Sequence, residues 1–255
     1  MRAFTRCLIA ELLKTRRTPA LAMTVVAPYV VVLLPVLIVL VEGSRFLPSS
    51  RIGSWSWLAR SAFVTWCLVV LPLFLGLLTS LLAAIEHRAH GFRHLFALPV
   101  RRLTLYLAKQ AAVFALVALA FALLAAGVLL AGLLLRLLRP GLGFEAAVPW
   151  RLLAGLALGG LLASGFVTAL QTWIALLRQD VAAPIGLAVL ATGSVIALRA
   201  FDATLVPYHP WSYPGELIRG LLAEGADPAW WVAGLLAGLA FAAVSGWSFT
   251  RRDVL

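Results

Sequence analysis

Residues 110–135 read QAAVFALVALAFALLAAGVLLAGLLL, an apolar run without one charged side chain. The hydrocarbon core of a bilayer is about 30 Å thick and needs roughly 20 apolar residues in a helix, so this run is long enough to cross it. A helix satisfies its own backbone hydrogen bonds inside lipid, and the run lacks the alternating pattern of barrel strands. We therefore predict a transmembrane helix here.

The rest of the chain is built in the same way. Six uncharged runs are long enough to span a membrane, at residues 18–41, 61–85, 110–135, 152–177, 181–198 and 228–250. Of the 255 residues, 63% are hydrophobic and only 12% are charged, whereas a soluble domain carries about 25% charged residues. The sequence predicts an all-α integral membrane protein, with a single transmembrane domain over residues 1–255 and about six spanning helices.

The positive charges indicate the orientation of the bundle. Lys and Arg are more numerous in the loops on the side of the termini, which include Lys109, than in the opposite loops, which include Arg60. By the positive-inside rule, both termini are expected in the cytoplasm. The net charge of +11 would suggest nucleic acid in a soluble protein, but these cations lie between apolar runs, where they orient helices and contact lipid phosphates. Membrane lipid is therefore the expected partner, and nucleic acid is not.

Residues 1–17 have the pattern of an amphipathic helix at the membrane interface. Apolar and basic side chains fall largely on opposite faces of such a helix: Phe4, Leu8, Ile9 and Leu12 on one, and Arg2, Arg6, Lys14 and Arg17 on the other. Three interpretations stay open, since the segment could lie in the interface, dock a cytoplasmic partner, or serve only as a positive-inside anchor.

A long connection follows the second run. Residues 86–109 read EHRAHGFRHLFALPVRRLTLYLAK and are dense in charge and histidine. On the predicted orientation this stretch is cytoplasmic, and we expect it to form a helical elbow.

Three histidines of this elbow could in principle bind a metal. His87, His90 and His94 share one face if the elbow is helical, a spacing that could hold zinc or copper. Gly91 would interrupt that helix, and the neighbouring arginines repel cations. Solvated histidines are the simpler interpretation, so we assign no metal.

Motifs for catalysis or ATP hydrolysis are missing from the sequence. Without a phosphate-binding loop of the form GxxxxGK[ST], the chain cannot power ATP-driven work alone. Ser164 is followed by a glycine, as a membrane protease nucleophile could be, but no predicted span supplies a histidine base, and HExxH is also missing. The six runs contain no charged residue, which argues against ion-coupled transport.

The most polar cluster inside a run is formed by Gln171, Thr172 and Trp173. These side chains could contact a substrate, or they could form hydrogen bonds between helices.

The elbow resembles the loop after the second membrane helix of ABC-2-type permeases, the membrane subunits of a class of ABC exporters. The family pattern is an acidic residue, a glycine, an apolar turn, a proline, basic residues and a lysine. The matching positions are Glu86, Gly91, Leu95, Leu98, Pro99, Arg101, Arg102 and Lys109. His90 and Phe92 depart from the pattern, because acidic and small hydroxyl residues are commoner there.

Both ends of the chain are also similar to that family. The similar positions are Glu11, Leu12, Lys14 and Arg17 before the first run, and FTRRD at residues 249–253. The run PWSYP at residues 210–214 is similar to lantibiotic-immunity and bacteriocin-export permeases.

The resemblance implies half of a transporter rather than an enzyme. Two permease subunits, identical or paralogous, would form the pathway, and two copies of a separate ABC ATPase subunit would supply ATP and Mg²⁺, so that this chain carries no cofactor. A coupling helix from Glu86 to about Leu98 would dock on the ATPase. The residues expected at that interface are Glu86, Arg88, Gly91, Arg93, Leu95 and Pro99. The location implied is the bacterial cytoplasmic (inner) membrane.

The expected substrate is amphipathic or hydrophobic, because the runs offer an apolar lining without charge, and the subfamily resemblance would make it a peptide antibiotic. Lipid and small-molecule drugs remain open. Two other classes also stay open: an intramembrane enzyme, which would need polar catalytic side chains at one depth, and a non-transporting assembly factor or sensor, which would have no ATPase partner.

Overall fold

The computed structural model describes residues 2–43, 53–88, 101–178, 181–222 and 229–251. Every regular element within these ranges is a helix. The all-α membrane fold expected from the sequence is therefore confirmed for the part of the chain that is described.

The α-helices in these ranges are, in chain order, α1 Arg2–Thr15, α2 Pro19–Glu42, α3 Ser54–Thr65, α4 Leu71–Arg88, α5 Arg102–Leu138, α6 Trp150–Ala163, α7 Gly165–Leu177, α8 Ala182–Phe201, α9 Tyr213–Leu222 and α10 Ala229–Thr250. A π-helical turn, Trp66–Val70, joins α3 to α4, and two 3₁₀ helices, Ala203–Tyr208 and Pro210–Ser212, precede α9.

Five of the described elements are long and apolar enough to cross a membrane. They are α2, the continuous helix Ser54–Ile85, α5, α8, and Val232–Thr250 in α10. The pair α6 and α7 forms a sixth crossing if it counts as one span, and its two axes meet at 43°. Five or six crossings agree with the number expected from the apolar runs.

The helices begin earlier than the uncharged runs do. The second span starts at Ser54 rather than at residue 61, and α5 starts at Arg102 rather than at residue 110. Arg60 and Lys109, which the charge pattern assigns to loops, therefore lie inside helices. The reason is length: α5 has 37 residues and measures about 56 Å, so it extends well beyond a hydrocarbon core of about 30 Å.

The π-helical turn in the second span has a local cause. Pro72 lies two residues after its last residue, Val70, and a proline has no N–H to donate and clashes with the carbonyl four residues before it. The backbone widens just before that point, where the Leu71 N–H donates to the carbonyl of Trp66 five residues earlier. The fully buried Trp66 ring lies 5.3 Å from the Phe74 ring and 6.2 Å from the Phe121 ring, measured between centroids. The turn thus places a large aromatic side chain in the core.

The bend between α6 and α7 is the site where α10 approaches most closely. A Cβ atom added at Gly234 would lie 2.5 Å from the carbonyl oxygen of Ala163, and one added at Gly238 would lie 2.5 Å from the carbonyl carbon of Gly165. Glycines in a G-x-x-x-G spacing permit such backbone contact between membrane helices. The bend itself falls at Ser164, whose hydroxyl donates to the carbonyl of Leu161 at 2.6 Å.

The connection between α8 and α10 folds back onto the bundle. In α9, Leu217 and Ile218 are buried, and Gly215 lies directly against the side chain of Leu68 from the π-helical turn. At this same end of the bundle, Trp55 Nε1 donates to the carbonyl of Phe144 at 3.2 Å, which ties α3 to the connection between α5 and α6.

Candidate functional site

The two ends of the bundle carry different polar groups. At one end, here called the α1 end, α1 lies beside the end of α4 and the beginning of α5. The opposite end, called the α9 end, carries α9, the two 3₁₀ helices and the start of α3.

At the α1 end, Glu11 binds both lysines of the chain. Its Oε1 atom accepts a hydrogen bond from Lys14 Nζ at 2.8 Å and from Lys109 Nζ at 3.0 Å. The side chains of Glu11 and Lys109 are only 14% and 8% exposed, so this ion pair is largely removed from solvent. Because Lys109 belongs to α5, the contact fastens α1 to a transmembrane helix.

A cavity of about 30 Å³ adjoins the ion pair. It lies between α1, α4, α5 and α7, and the polar groups that line it are Glu11, Lys14, Thr15, Thr79, Lys109 and Thr172. Its volume is sufficient for about one or two water molecules. The Thr79 hydroxyl donates to the Leu75 carbonyl and the Thr172 hydroxyl to the Thr168 carbonyl, both at 2.8 Å, so these donors are already satisfied within their own helices. The site is suited to a water-mediated contact between four helices rather than to catalysis.

A second polar network lies beside Lys109 on α5 and includes Tyr106 and Gln110. Gln110 Nε2 donates to Tyr106 Oη at 2.7 Å and to the Ala169 carbonyl at 3.1 Å. Tyr106 Oη in turn lies 2.6 Å from Ser245 Oγ. The network connects α5 with α7 and α10, and all of its side chains are buried. These hydrogen bonds tie three membrane helices together.

The three residues predicted as a substrate contact do not face one common space. Thr172 lines the small cavity at the α1 end. The Trp173 ring packs edge-on against Phe241 of α10, with the centroids 5.6 Å apart. Gln171 is completely buried, and neither of its amide atoms has a hydrogen-bond partner among the described residues. Gln171 is therefore the most unusual polar group in the described spans, while its part in transport stays a prediction.

Helix α1, which the sequence pattern predicts to lie at the membrane interface, differs in part from the arrangement of side chains expected. Leu8 and Leu12 are half-buried, whereas Phe4 and Ile9 are exposed. Lys14, expected on the polar face opposite the apolar one, instead lines the cavity beside Glu11. The ion pair with Glu11 brings Lys14 to the side of α1 that faces the bundle, although the amphipathic pattern alone would place this lysine on the opposite side.

Arg17 ends the turn after α1. It is exposed and has a φ angle of 64°, in the left-handed region where side chains other than glycine are uncommon. The chain turns there from α1 into α2.

The predicted coupling residues fall largely beyond the described residues. Glu86, His87 and Arg88 lie in the last turn of α4, and their side chains are not part of the description. Gly91, Arg93, Leu95 and Pro99, together with His90 and His94, lie in the undescribed range 89–100. Residues 102–109 of the predicted elbow belong instead to α5. Within the described ranges, no group of three His, Cys, Asp or Glu residues could hold a metal ion.

The α9 end has its own charged cluster. Glu216 accepts hydrogen bonds from Arg199 at 2.5 Å and from Arg219 at 3.2 Å, which joins α9 to α8. Asp202 accepts from the backbone N–H and the hydroxyl of Thr204, and these bonds lower the pKa of its carboxyl.

His209 lies between the two 3₁₀ helices at this end. Its Nε2 atom lies 3.0 Å from Ser194 Oγ, and its buried Nδ1 atom has no partner among the described residues. Burial lowers the pKa of the imidazole, because it disfavours the charged form.

Sequence reasoning identified Glu11 and Lys109 separately, as family positions, and missed that they form a pair. One available signal was composition: the chain has only two lysines among its many arginines, and one of them follows Glu11 at helical spacing. The contacts of Tyr106 with Ser245 gave no comparable signal, because the two residues are separated by 139 positions.

A comparison with protein-family models matched most of the chain. The family model described as "ABC-2 family transporter protein" matches residues 7–193, from α1 into α8. The run at residues 210–214, on which the lantibiotic subfamily resemblance rests, lies outside that range. No curated protein and no solved structure matches the chain.

Proposed function

The chain belongs to the ABC-2 transporter family, and from this premise we propose that it is the permease of an exporter that moves an amphipathic or hydrophobic substrate. Membership makes it a membrane-spanning transport component that works with an ABC ATPase. The direction of transport, the substrate class and the composition of the assembly are the proposed parts. The proposed assembly has two ATPase subunits and a second permease, identical or paralogous, and lies in the bacterial inner membrane with both termini in the cytoplasm.

The observation that carries the proposal is the arrangement of the α1 end. There α4 ends at Arg88 and α5 begins at Arg102, so the segment with the family pattern connects two transmembrane helices beside α1. Three elements that continue into the membrane, α4, α5 and α7, line one cavity with α1. An ATPase that moved residues 86–98 would therefore move α4 and α5 directly.

The coupling mechanism follows from this connectivity. ATP binding and hydrolysis on the partner would shift the coupling helix, with Glu86, Arg88, Gly91, Arg93, Leu95 and Pro99 at the contact, and α4 and α5 would follow as rigid bodies. The Glu11–Lys109 pair makes α1 move together with α5. The bend at Ser164, where α10 packs, offers a second place at which the bundle can rearrange.

The apolar character of the bundle supports the substrate class. Most buried side chains of the described spans are apolar. Among the buried polar ones, Gln171 has an amide without a partner among the described residues, which a substrate group could satisfy. An amphipathic peptide, as the PWSYP resemblance suggests, would bring both apolar surface and amide groups.

An intramembrane serine protease is less well supported. The Ser164 hydroxyl donates to the carbonyl of Leu161 within its own helix, and the described spans bring no histidine to it. A nucleophile needs an adjacent base.

The proposal is tested by purifying the tagged protein from its native membrane in mild detergent. We expect an ABC ATPase to copurify in stoichiometric amount, with vanadate-sensitive ATP hydrolysis, and mass spectrometry will show whether a second permease is present. The double variant Glu86→Ala with Gly91→Pro should lose ATPase binding and transport while still inserting into the membrane.

The matched control is Glu145→Ala, which removes an exposed carboxylate in the connection between α5 and α6, at the α9 end. It should copurify with the ATPase as the wild type does. Transport that is unchanged in the double variant would overturn the coupling-helix assignment, and a chain that purifies alone would favour an assembly factor or sensor.

A further inference from the structure

A groove of about 480 Å³ opens on the outer surface of the bundle between α2 and α3. Its lining residues are Leu34, Pro35, Ile38, Trp57, Arg60, Ser61, Val64 and Thr65. The volume falls within the range of small-molecule sites, roughly 300–1,000 Å³. The coupling mechanism makes no use of this groove, which lies away from the α1 end.

Among the described residues that line the groove, Arg60 is the one with a charged side chain. It is exposed, and no carboxylate among the described residues forms an ion pair with it. The hydroxyl-bearing residues Ser61 and Thr65 lie on the same helix below it, while Leu34, Ile38 and Val64 supply apolar walls. The groove is therefore amphipathic, with a cation and hydroxyl groups along an apolar cleft.

The position of Arg60 along the helix corresponds to the headgroup boundary. The span Ser54–Ile85 has 32 residues and measures about 48 Å, which exceeds a core of about 30 Å by roughly 9 Å at each end if the excess is shared equally. Arg60 lies six residues, or about 9 Å, from Ser54. Its guanidinium can therefore reach lipid phosphates while Leu34 and Val64 contact the acyl region.

We propose that this groove binds one anionic phospholipid from the leaflet at the α9 end, with its phosphate on Arg60 and an acyl chain against Leu34, Ile38 and Val64. Arginine suits this ligand because its planar fork can donate two hydrogen bonds to phosphate oxygens. Ser61 provides a further donor for the phosphate or the glycerol oxygens.

Charge complementarity favours a phospholipid over a second copy of this chain. Burying Arg60 at a protein interface without a counter-charge would be costly. The carboxylates described at the α9 end already have partners: Glu145 accepts from the Gly141 N–H, Asp202 from Thr204, Glu216 from two arginines, and Glu42 is also engaged. A phospholipid supplies both the missing negative charge and the apolar surface.

The test measures lipid retention by native mass spectrometry. The whole protein is placed in nanodiscs that contain equal amounts of phosphatidylglycerol and phosphatidylcholine. The protein is then released from the nanodiscs in the mass spectrometer, and the phospholipid molecules that remain bound to it are counted. We expect one phosphatidylglycerol per chain in the wild type. Arg60→Ala should reduce its retention about five-fold, the factor that one interfacial cation typically contributes.

Three further variants separate the causes. Arg151→Ala removes an exposed arginine near the same end but outside the groove, and it should behave as wild type. Arg60→Lys keeps the charge and should retain most of the lipid. Val64→Phe fills the apolar part of the groove and should lose the lipid although Arg60 is intact.

A photoactivatable phosphatidylglycerol provides an independent measurement on the wild type, with crosslinks expected on peptides from α2 and α3. The proposal would be overturned if Arg60→Ala retained as much phosphatidylglycerol as the wild type, or if Arg151→Ala lost as much of it as Arg60→Ala. It would also be overturned if phosphatidylcholine bound equally well or if inorganic phosphate displaced the phosphatidylglycerol. Occupation of the groove by a second copy of the chain in place of lipid would have the same consequence. The assay requires no ATPase subunit, so its outcome is independent of transport.

Discussion

The ammonium group of Lys109 lies 3.0 Å from the carboxylate of Glu11, although 98 positions of sequence separate the two residues. The contact joins α1 to the transmembrane helix α5. Both side chains are largely buried, so the pair is held in an environment where a charge needs its partner. This gives α1 a defined position on the bundle instead of a loose association with the membrane surface.

Replacing Glu11 by glutamine should lower the free energy of unfolding by about 1.5–3 kcal/mol, because the hydrogen bonds to both lysines lose their charged acceptor. The change is measured by thermal unfolding in a fixed detergent. The matched control is Lys14→Gln, which removes the more exposed of the two contacts and should cost less than about 1 kcal/mol. Equal effects of the two substitutions would contradict a special role for the buried pair.

The number and type of the membrane helices could be predicted from the sequence, because each uncharged run is long enough to exclude other structures. Their ends could not be predicted equally well. Arg60 and Lys109 directly precede apolar runs and still lie inside helices, since long side chains reach the interface or find a partner while the backbone remains helical. Charge marks the edge of the hydrocarbon and not the edge of the helix.

Two features depend on contacts that no local pattern encodes. The run at residues 152–177 is uncharged throughout and has no proline, yet it bends at Ser164, where Gly234 and Gly238 of α10 approach its backbone. The Glu11–Lys109 pair likewise joins distant segments. The coupling residues between 86 and 99 were recognised from their order along the chain alone, and their role stays a prediction.

Adding a methyl group at Gly238 should destabilise the bundle. Its Cβ would lie 2.5 Å from the carbonyl carbon of Gly165 and 2.8 Å from its oxygen, and backbone atoms cannot move aside as a side chain can. Gly238→Ala is therefore expected to cost about 1–3 kcal/mol in unfolding free energy, the usual range for overpacking. Denaturation in detergent measures the effect.

Gly193→Ala is the matched control for this substitution. Outside the backbone of its own helix and its chain neighbours, no atom of the described residues lies within 4 Å of the Cβ position at Gly193 in α8, so the added methyl group meets no obstacle there. Because alanine favours helix over glycine by about 1 kcal/mol, this variant should be neutral or slightly more stable. A loss of stability at Gly193 as large as that at Gly238 would show that close packing is not the cause.

The two buried glutamines should respond in opposite ways to replacement by leucine. Gln171→Leu removes an amide without partners among the described residues and is expected to stabilise the protein by about 1–3 kcal/mol. Gln110→Leu removes donors to Tyr106 and Ala169 and should destabilise it by about 1–2 kcal/mol. Transport by the more stable Gln171→Leu should nevertheless fall, if the amide serves the substrate. Undiminished transport would remove Gln171 from the proposed pathway.

Stability should depend on pH through His209. Burial lowers the pKa of this imidazole below its value of about 6.5 in the unfolded chain, so between the two values the unfolded state binds a proton that the folded state does not. The stability contribution is complete above about pH 6.5 and is lost as the pH falls through the folded pKa. We expect the melting temperature of the wild type to fall more steeply between about pH 7.5 and 5.5 than that of His209→Gln, which cannot titrate there. The lowered pKa of Asp202 keeps that carboxyl outside this window, and the remaining histidines are common to both proteins. Parallel pH profiles would show that burial of His209 in the folded protein does not lower its pKa.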